Sequence, residues 1–161
     1  MTPNISKTIK IVDFNPSYQH AFKALNEEWI TKYFVMEDAD FRALDHPKAH
    51  ILDKGGYIAI ALLEEMPVGT CALMKMENGQ FDYELAKMGV SPKAQGLGVG
   101  YQLGTKVILK AREFGAKNIF LESNTILGPA IRLYKKLGFK EIDHIKTPYK
   151  RCNIQMELVL K

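Results

Sequence analysis

The residues of this sequence best suited to chemistry are Gln95-Gly96-Leu97-Gly98-Val99-Gly100, a run between an apolar, strand-like stretch ending at Val90 and an amphipathic, helix-like stretch over residues 99–114. A glycine-rich turn of this kind delivers the chain to a helix N-terminus. There the first backbone N–H groups lack intrahelical partners, the helix dipole favours negative charge, and glycines admit a ligand close to the main chain. The run reads as a phosphate cradle, with a plain tight turn as the alternative. Spacing counts against two nucleotide motifs. The glycines run G-x-G-x-G past mid-chain rather than G-x-G-x-x-G after a first strand, and Gly104-Thr105-Lys106 has the wrong order for a Walker loop.

Upstream, Glu84, Ala86, Met88 and Val90 fall on one face of a strand by simple alternation. A carboxylate on that otherwise apolar face is unusual, although a Glu pointing to solvent or paired with a lysine would account for it. Gly89 in the same strand reads as a bulge, a close approach of another backbone, or a merely tolerated glycine.

The elements that must position these groups follow from periodicity and turn signals. Residues 8–14 form a strand stopped by Asn15-Pro16, with Ser17 placed to cap a helix over 18–33, in which Phe22, Leu25, Trp29 and Ile30 recur at helical spacing. A shorter helix is expected over 39–44, ending before Pro47. Apolar runs at 56–63, 68–76 and 81–90, parted by turns at Glu65-Met66-Pro67 and Glu77-Asn78-Gly79, predict an antiparallel meander. Val99, Leu103, Val107, Ala111 and Phe114 mark the core stripe of the next helix, followed by a strand at 118–123. Gly128-Pro129 opens a helix that Gly138 closes, and strands at 139–145 and 153–160 complete the order βααβββαβαββ. This is a single α/β domain over residues 1–161, a sandwich of helices around a mixed, mostly antiparallel sheet.

Composition narrows the function classes. At 161 residues, 47% hydrophobic and 25% charged, the chain is an ordinary globular sequence. The net charge of +4 comes from scattered lysines without a basic run, so nucleic acid is not implied, although a polyphosphate ligand would be favoured by the field. Cys71 and Cys152 sit in apolar, strand-like runs and read as buried free thiols; His20, His46, His50 and His144 lack metal-ligand spacing, so no metal is expected. The first ten residues carry no signal-like apolar core and no stretch reaches membrane-spanning length, which gives the expectation of a cytoplasmic protein without membrane partners.

Two stretches together resemble the GNAT superfamily of acyl-CoA-dependent N-acyltransferases. Gln95 to Gly100 is similar to the family's [RQ]-x-x-G-x-[GA] pyrophosphate loop. Leu121-Glu122-Ser123-Asn124, followed by Ala130-Ile131-Arg132-Leu133-Tyr134-Lys135-Lys136-Leu137-Gly138-Phe139, is similar to its fifth-strand and fourth-helix signature. The resemblance implies acetyl-CoA as co-substrate, with its pyrophosphate on the N–H groups of Gln95, Gly96, Leu97, Gly98, Val99 and Gly100. Gln95 replaces the arginine also common there, and Lys93 is near enough in sequence to supply the charge. It implies a general base at Glu84, eleven residues before Gln95. Pantetheine contacts are implied at Met88, Gly89 and Val90, where a backbone N–H polarises the thioester carbonyl. Tyr134 would be the general acid toward the leaving thiolate, with Asn124 hydrogen-bonded to pantetheine or to Tyr134, or else a turn asparagine.

For the acceptor, the loop after the first helix carries Trp29, Tyr33, Phe34, Glu37, Asp38 and Asp40, aromatic and acidic groups that suit a cationic amine, while Trp29 also fits the core and the acids also fit a helix start. Tyr149 and Arg151, before the last strand, are further candidates. The reaction implied is acetyl transfer to a primary amine by direct attack in a ternary complex, the acceptor a small molecule. A protein or peptide acceptor, or a non-catalytic acyl-CoA sensor, are the alternatives. A homodimer through an edge strand is compatible with such folds.

Overall fold

The structure, a computed structural model, describes residues 8–77 and 79–160. Its strands are β1 (Ile9–Asp13), β2 (Tyr57–Leu63), β3 (Met66–Lys75), β4 (Tyr83–Val90), β5 (Asn118–Ser123), β6 (Lys140–Glu141) and β7 (Ile154–Val159). Its helices are α1 (Gln19–Tyr33), α2 (Asp38–Asp45), α3 (Val99–Glu113) and α4 (Gly128–Leu137), so the element order is the expected one. One seven-stranded sheet runs β1-β2-β3-β4-β5-β7-β6, antiparallel except between β4 and β5. Both faces are covered. Tyr57, Leu73, Leu85, Ile119 and Leu121 pack under Val99, Leu103 and Val107 of α3, while Ile58, Ile60 and Ala72 pack under Phe22 and Ile30 of α1 and Leu44 of α2. Burial on two faces is why β2 reads as a continuous apolar run rather than an alternating one.

The sheet is nearly two sheets. β4 meets β5 only at Tyr83↔Ile119 and Glu84↔Phe120, and residues 85–90 have no partner on β5. A bulge in β4 then redirects its side chains. Ala72 pairs with Ala86 and Thr70 with Gly89, so Cys71 faces two residues, Lys87 and Met88, and Lys87 adopts φ +52°. The expected shared face of Glu84, Ala86, Met88 and Val90 is therefore split. Glu84 and Ala86 lie on the α1–α2 side with Met74 and Ala72, while Met88 and Val90 join the α3 side. The inserted residue, which shifts a period of two by one, is the cause.

Gly89 is a close-approach glycine and the bulge lies two residues earlier: a Cβ there would stand 2.9 Å from the Leu25 carbonyl oxygen of α1.

Other expectations are adjusted at element ends. Asn15, not Ser17, supplies the cap: its side chain accepts from the Ser17 N–H at 2.9 Å in a one-turn 3-10 helix, Pro16–Tyr18, and α1 begins at Gln19 without a side-chain cap. The β2–β3 turn is Glu64-Glu65, both at positive φ, and Pro67 already lies in β3, beside the register shift at Ala61/Leu62 where its missing N–H is tolerated. Asn78 of the next expected turn lies outside the described residues, and Gly79 has φ +76°. The strand expected over 139–145 shrinks to β6 because the Gln155 side chain takes the hydrogen bonds, accepting from Ile145 N at 2.6 Å and donating to Ile145 O at 3.0 Å. Cys152 precedes β7 and is only half-buried.

Helix α3 lies close on α4. A Cβ at Gly100 would be 2.8 Å from Leu133, and one at Gly104 would be 2.5 Å from Leu137. On the other face, Gly89→Ala sets a methyl against backbone rather than a flexible side chain; equilibrium denaturation should show a loss of about 1–3 kcal/mol.

Candidate active site

The separation of β4 from β5 opens a cleft of about 620 Å³, lined by residues 84–90 on one side and Glu122, Ser123 and Asn124 on the other. The N-terminus of α3 closes one end. Gly96 and Gly98 have φ +83° and +75°, Gly98 being the helix N-cap, and α3 has no side-chain cap, so its first N–H groups are left for a ligand. Gln95, Gly96, Gly98, Val99 and Gly100 line the cleft; Leu97 packs on the core and Lys93 is not among the lining residues.

Glu84 lies where the strands part. Burial, reinforced by the charge of Glu122 and opposed by that of Lys87, pushes its carboxyl from 4.5 up to about 8. Tyr134, 9% exposed, reaches the same cleft from α4, with its ring edge-on to Phe139 at 6.3 Å, and burial raises its phenol above the usual value. Among the described residues neither Glu84 nor the Tyr134 hydroxyl has a side-chain hydrogen-bond partner. Asn124 is not bonded to Tyr134. Its Oδ1 accepts from Ile126 N at 2.9 Å and its Nδ2 donates to Arg151 O at 2.7 Å, which makes it the pivot of the β5–α4 turn. Cys71 is buried and Cys152 lines the cleft; burial raises both thiols, so neither is poised as a thiolate nucleophile.

The side of the cleft expected to receive an acceptor is organised by an ionic cluster. Asp40, fully buried, receives Arg151 in a two-pronged contact at 2.6 and 2.7 Å and Lys87 Nζ at 2.7 Å. Lys87 also donates to the Tyr149 hydroxyl at 2.9 Å. Burial works to raise the Asp40 carboxyl, but the hydrogen bonds of Arg151 and the charge of Lys87 overcome it and hold it at about 2. Asp40 further accepts from Glu37 N at 2.9 Å, fixing the start of α2. Glu37 does not line the cleft. It binds the Lys150 N–H at 2.9 Å and approaches Arg151 at 3.4 Å. Arg151 stacks over Tyr149 at 4.6 Å and Trp29 at 5.8 Å, and Trp29, Tyr33, Tyr149 and Arg151 all line the cleft. Arg151 is thus neutralised by the protein's own carboxylates.

Sequence reasoning missed Lys87, named Glu122 only within a motif, and read Asp40 as an acceptor-side acid or a helix start. The available signal was a lysine in mid-strand between Ala86 and Met88, a position where a charge must find a partner.

Comparisons with known proteins agree with this architecture. The acetyltransferase of the GNAT family from Staphylococcus aureus Mu50 superposes with a TM-score of 0.86 at 23% identity, over 96% of this chain and 100% of that one. YncA from Salmonella typhimurium, determined with its cofactor acetyl-CoA, gives 0.78 at 19% identity over 96% and 95% of the chains. The fold is that of these acetyltransferases. The chain itself belongs to the acetyltransferase (GNAT) family, whose sequence model matches residues 17–139. YjgM, an uncharacterised N-acetyltransferase of Escherichia coli, is 37% identical over 75 residues, a match spanning 45% of each chain and so less than half of that relative. An uncharacterised N-acetyltransferase of Schizosaccharomyces pombe is 28% identical over 123 residues, 74% of each chain.

Asp40→Asn leaves the two buried cations short of one charge, and thermal or chemical unfolding at neutral pH should register a loss of about 3–5 kcal/mol. Because the folded carboxyl is depressed from 3.8 to about 2, the stability it contributes is present above pH 4 and lost as pH falls through that window, an amount of about 2 kcal/mol measurable by acid titration.

Proposed function

We propose that the protein transfers an acetyl group from acetyl-CoA to a primary amine by direct attack, with both substrates held in the β4–β5 cleft. The observation that carries this is Glu84. Its carboxyl has no hydrogen-bond partner among the described residues, is raised to about 8, and faces the same cleft as the uncapped N-terminus of α3. The family, and the acetyl-CoA found in a structural neighbour, support the same co-substrate.

Acetyl-CoA supplies the acyl group as a thioester. The N–H groups of α3 and its preceding turn, aided by Gln95, hold pyrophosphate, and the unpaired edge of β4 at Met88, Gly89 and Val90 accepts pantetheine as a neighbouring strand would. A β4 N–H there polarises the thioester carbonyl. Glu84 takes the proton of the amine. A carboxylate at 4.5 would face a gap of about 6 units to an alkylammonium at 10.4, about 8 kcal/mol, whereas one near 8 faces about 3 kcal/mol. As the C–N bond forms and the C–S bond breaks, Tyr134 donates its hydroxyl proton to the departing sulfur, and the second proton shed by the nitrogen restores the phenol. A cleft of about 620 Å³ walled by Trp29, Tyr33 and Tyr149 suits a small-molecule amine.

Release of CoA thiol from acetyl-CoA against a panel of amines tests the reading. Glu84→Gln and Tyr134→Phe should each lower kcat by about 10²–10⁴ while thermal stabilisation by acetyl-CoA persists. Unchanged turnover in both variants would refute the assigned roles, and CoA binding without turnover in the parent would favour a sensor.

The pH dependence is equally specific. kcat should rise through an apparent value near 8 that Glu84→Gln abolishes. Since the carboxyl is raised on folding, its neutral form favours the fold below 4.5 and that advantage is lost as pH rises to about 8. Measured above pH 8, Glu84→Gln should therefore raise the free energy of unfolding by up to a few kcal/mol.

A further inference from the structure

Lys87 is a charged residue at a costly position. A non-glycine residue at positive φ is strained by about 1 kcal/mol or more, and here φ +52° falls in the middle of a strand, at the bulge opposite Cys71. The side chain that this backbone directs is 3% exposed. Its ammonium has two fixed partners, Asp40 Oδ1 at 2.7 Å and the Tyr149 hydroxyl at 2.9 Å, and it lies over the Tyr149 ring at 4.9 Å. A regular strand would alternate here, and the bulge instead breaks the alternation so that Lys87 reaches α2, on the side that also carries Glu84. Asp40 does not depend on Lys87 for neutralisation, because Arg151 already engages both of its oxygens.

We propose that Lys87 is a positioning residue: clamped between Asp40 and Tyr149, it holds a fixed positive charge on the wall of the cleft and thereby biases Glu84 toward its ionised form. This rests on Glu84 being the base of the proposed acyl transfer. Two charges act on Glu84 with opposite sign: Glu122 of β5 favours the protonated form and Lys87 of β4 the ionised form. Lys32 of α1, Tyr134 of α4, and Tyr149 and Arg151 before β7 also line the cleft, with Asp40 of α2 behind Lys87. The Tyr149 hydroxyl, by accepting from Lys87, gives the ammonium a second fixed partner besides Asp40. Lys87 touches no reacting atom in this scheme; its effect passes through Glu84.

The test reads Glu84 without a substrate. In protein labelled with ¹³C at the glutamate carboxyls, the Glu84 resonance is assigned by its disappearance in Glu84→Gln, and its titration midpoint is followed. Lys87→Gln and Lys87→Met, which keep the Asp40–Arg151 pair, should raise the midpoint by about one unit, while Lys87→Arg should leave it in place. A midpoint unmoved in a folded neutral variant, or moved as far in Lys87→Arg, overturns the proposal. If neither neutral variant folds, Tyr149→Phe decides. It keeps every charge but removes the second partner of the ammonium, and an upward shift supports the proposal whereas none overturns it. A shift in midpoint alongside unimpaired acetyl transfer by Glu84→Gln would defeat the proposed function and leave the role of Lys87 standing.

Discussion

Two residue pairs, Tyr83 with Ile119 and Glu84 with Phe120, join the left and right halves of this sheet, and the parallel contact goes no further. Strand edges left unpaired inside a protein are costly unless something completes them. The fold tolerates the opening because α3 and α4 pack together across one face, and the segment before β7 bridges the other through Asp40, Glu37 and Asn124. Everything proposed for catalysis is arranged around that interruption, and Glu84 stands at its apex.

The site holds two carboxylates that their surroundings push in opposite directions. Asp40 is the more deeply enclosed, yet it stays ionised because three N–H groups of Arg151 and Lys87 point at it. Glu84 has no such donors and looks across at another acid, Glu122. Burial is common to both; hydrogen bonding separates them. The same lysine serves both groups, as a close partner to one and a more distant field on the other.

Most of the architecture was legible in the sequence because helical stripes, Asn15-Pro16, Gly128-Pro129 and Gly138 are local signals that tertiary packing did not override. The turn proposed to bind phosphate was legible for the same reason, since Gly96 and Gly98 carry the positive φ values themselves. What escaped was non-local. The bulge at Lys87 obeys no residue preference, because lysine is a poor choice for positive φ, and the partner it reaches, Asp40, is 47 residues away. Alternation from Glu84 to Val90 was therefore read in the wrong phase after residue 86. Arg151 was read as an acceptor-binding candidate rather than as a member of an internal ion cluster because its partners, Glu37 and Asp40, are more than a hundred positions distant.

The tight seating of α3 on α4, set by Gly100 and Gly104, has a mechanical consequence. The turn proposed to grip the pyrophosphate and the tyrosine proposed to protonate the sulfur belong to a single rigid body, so the span between the two ends of a bound cofactor is measured by helix packing rather than by loops. The opposite wall, built from α1, α2 and the strap before β7, rests on the other face of the sheet through Phe22, Ile30 and Leu44, with the strap tied to α2 by polar contacts. The wall proposed for the acceptor and the helices proposed to measure the donor are thus separate packing units on opposite faces of one sheet.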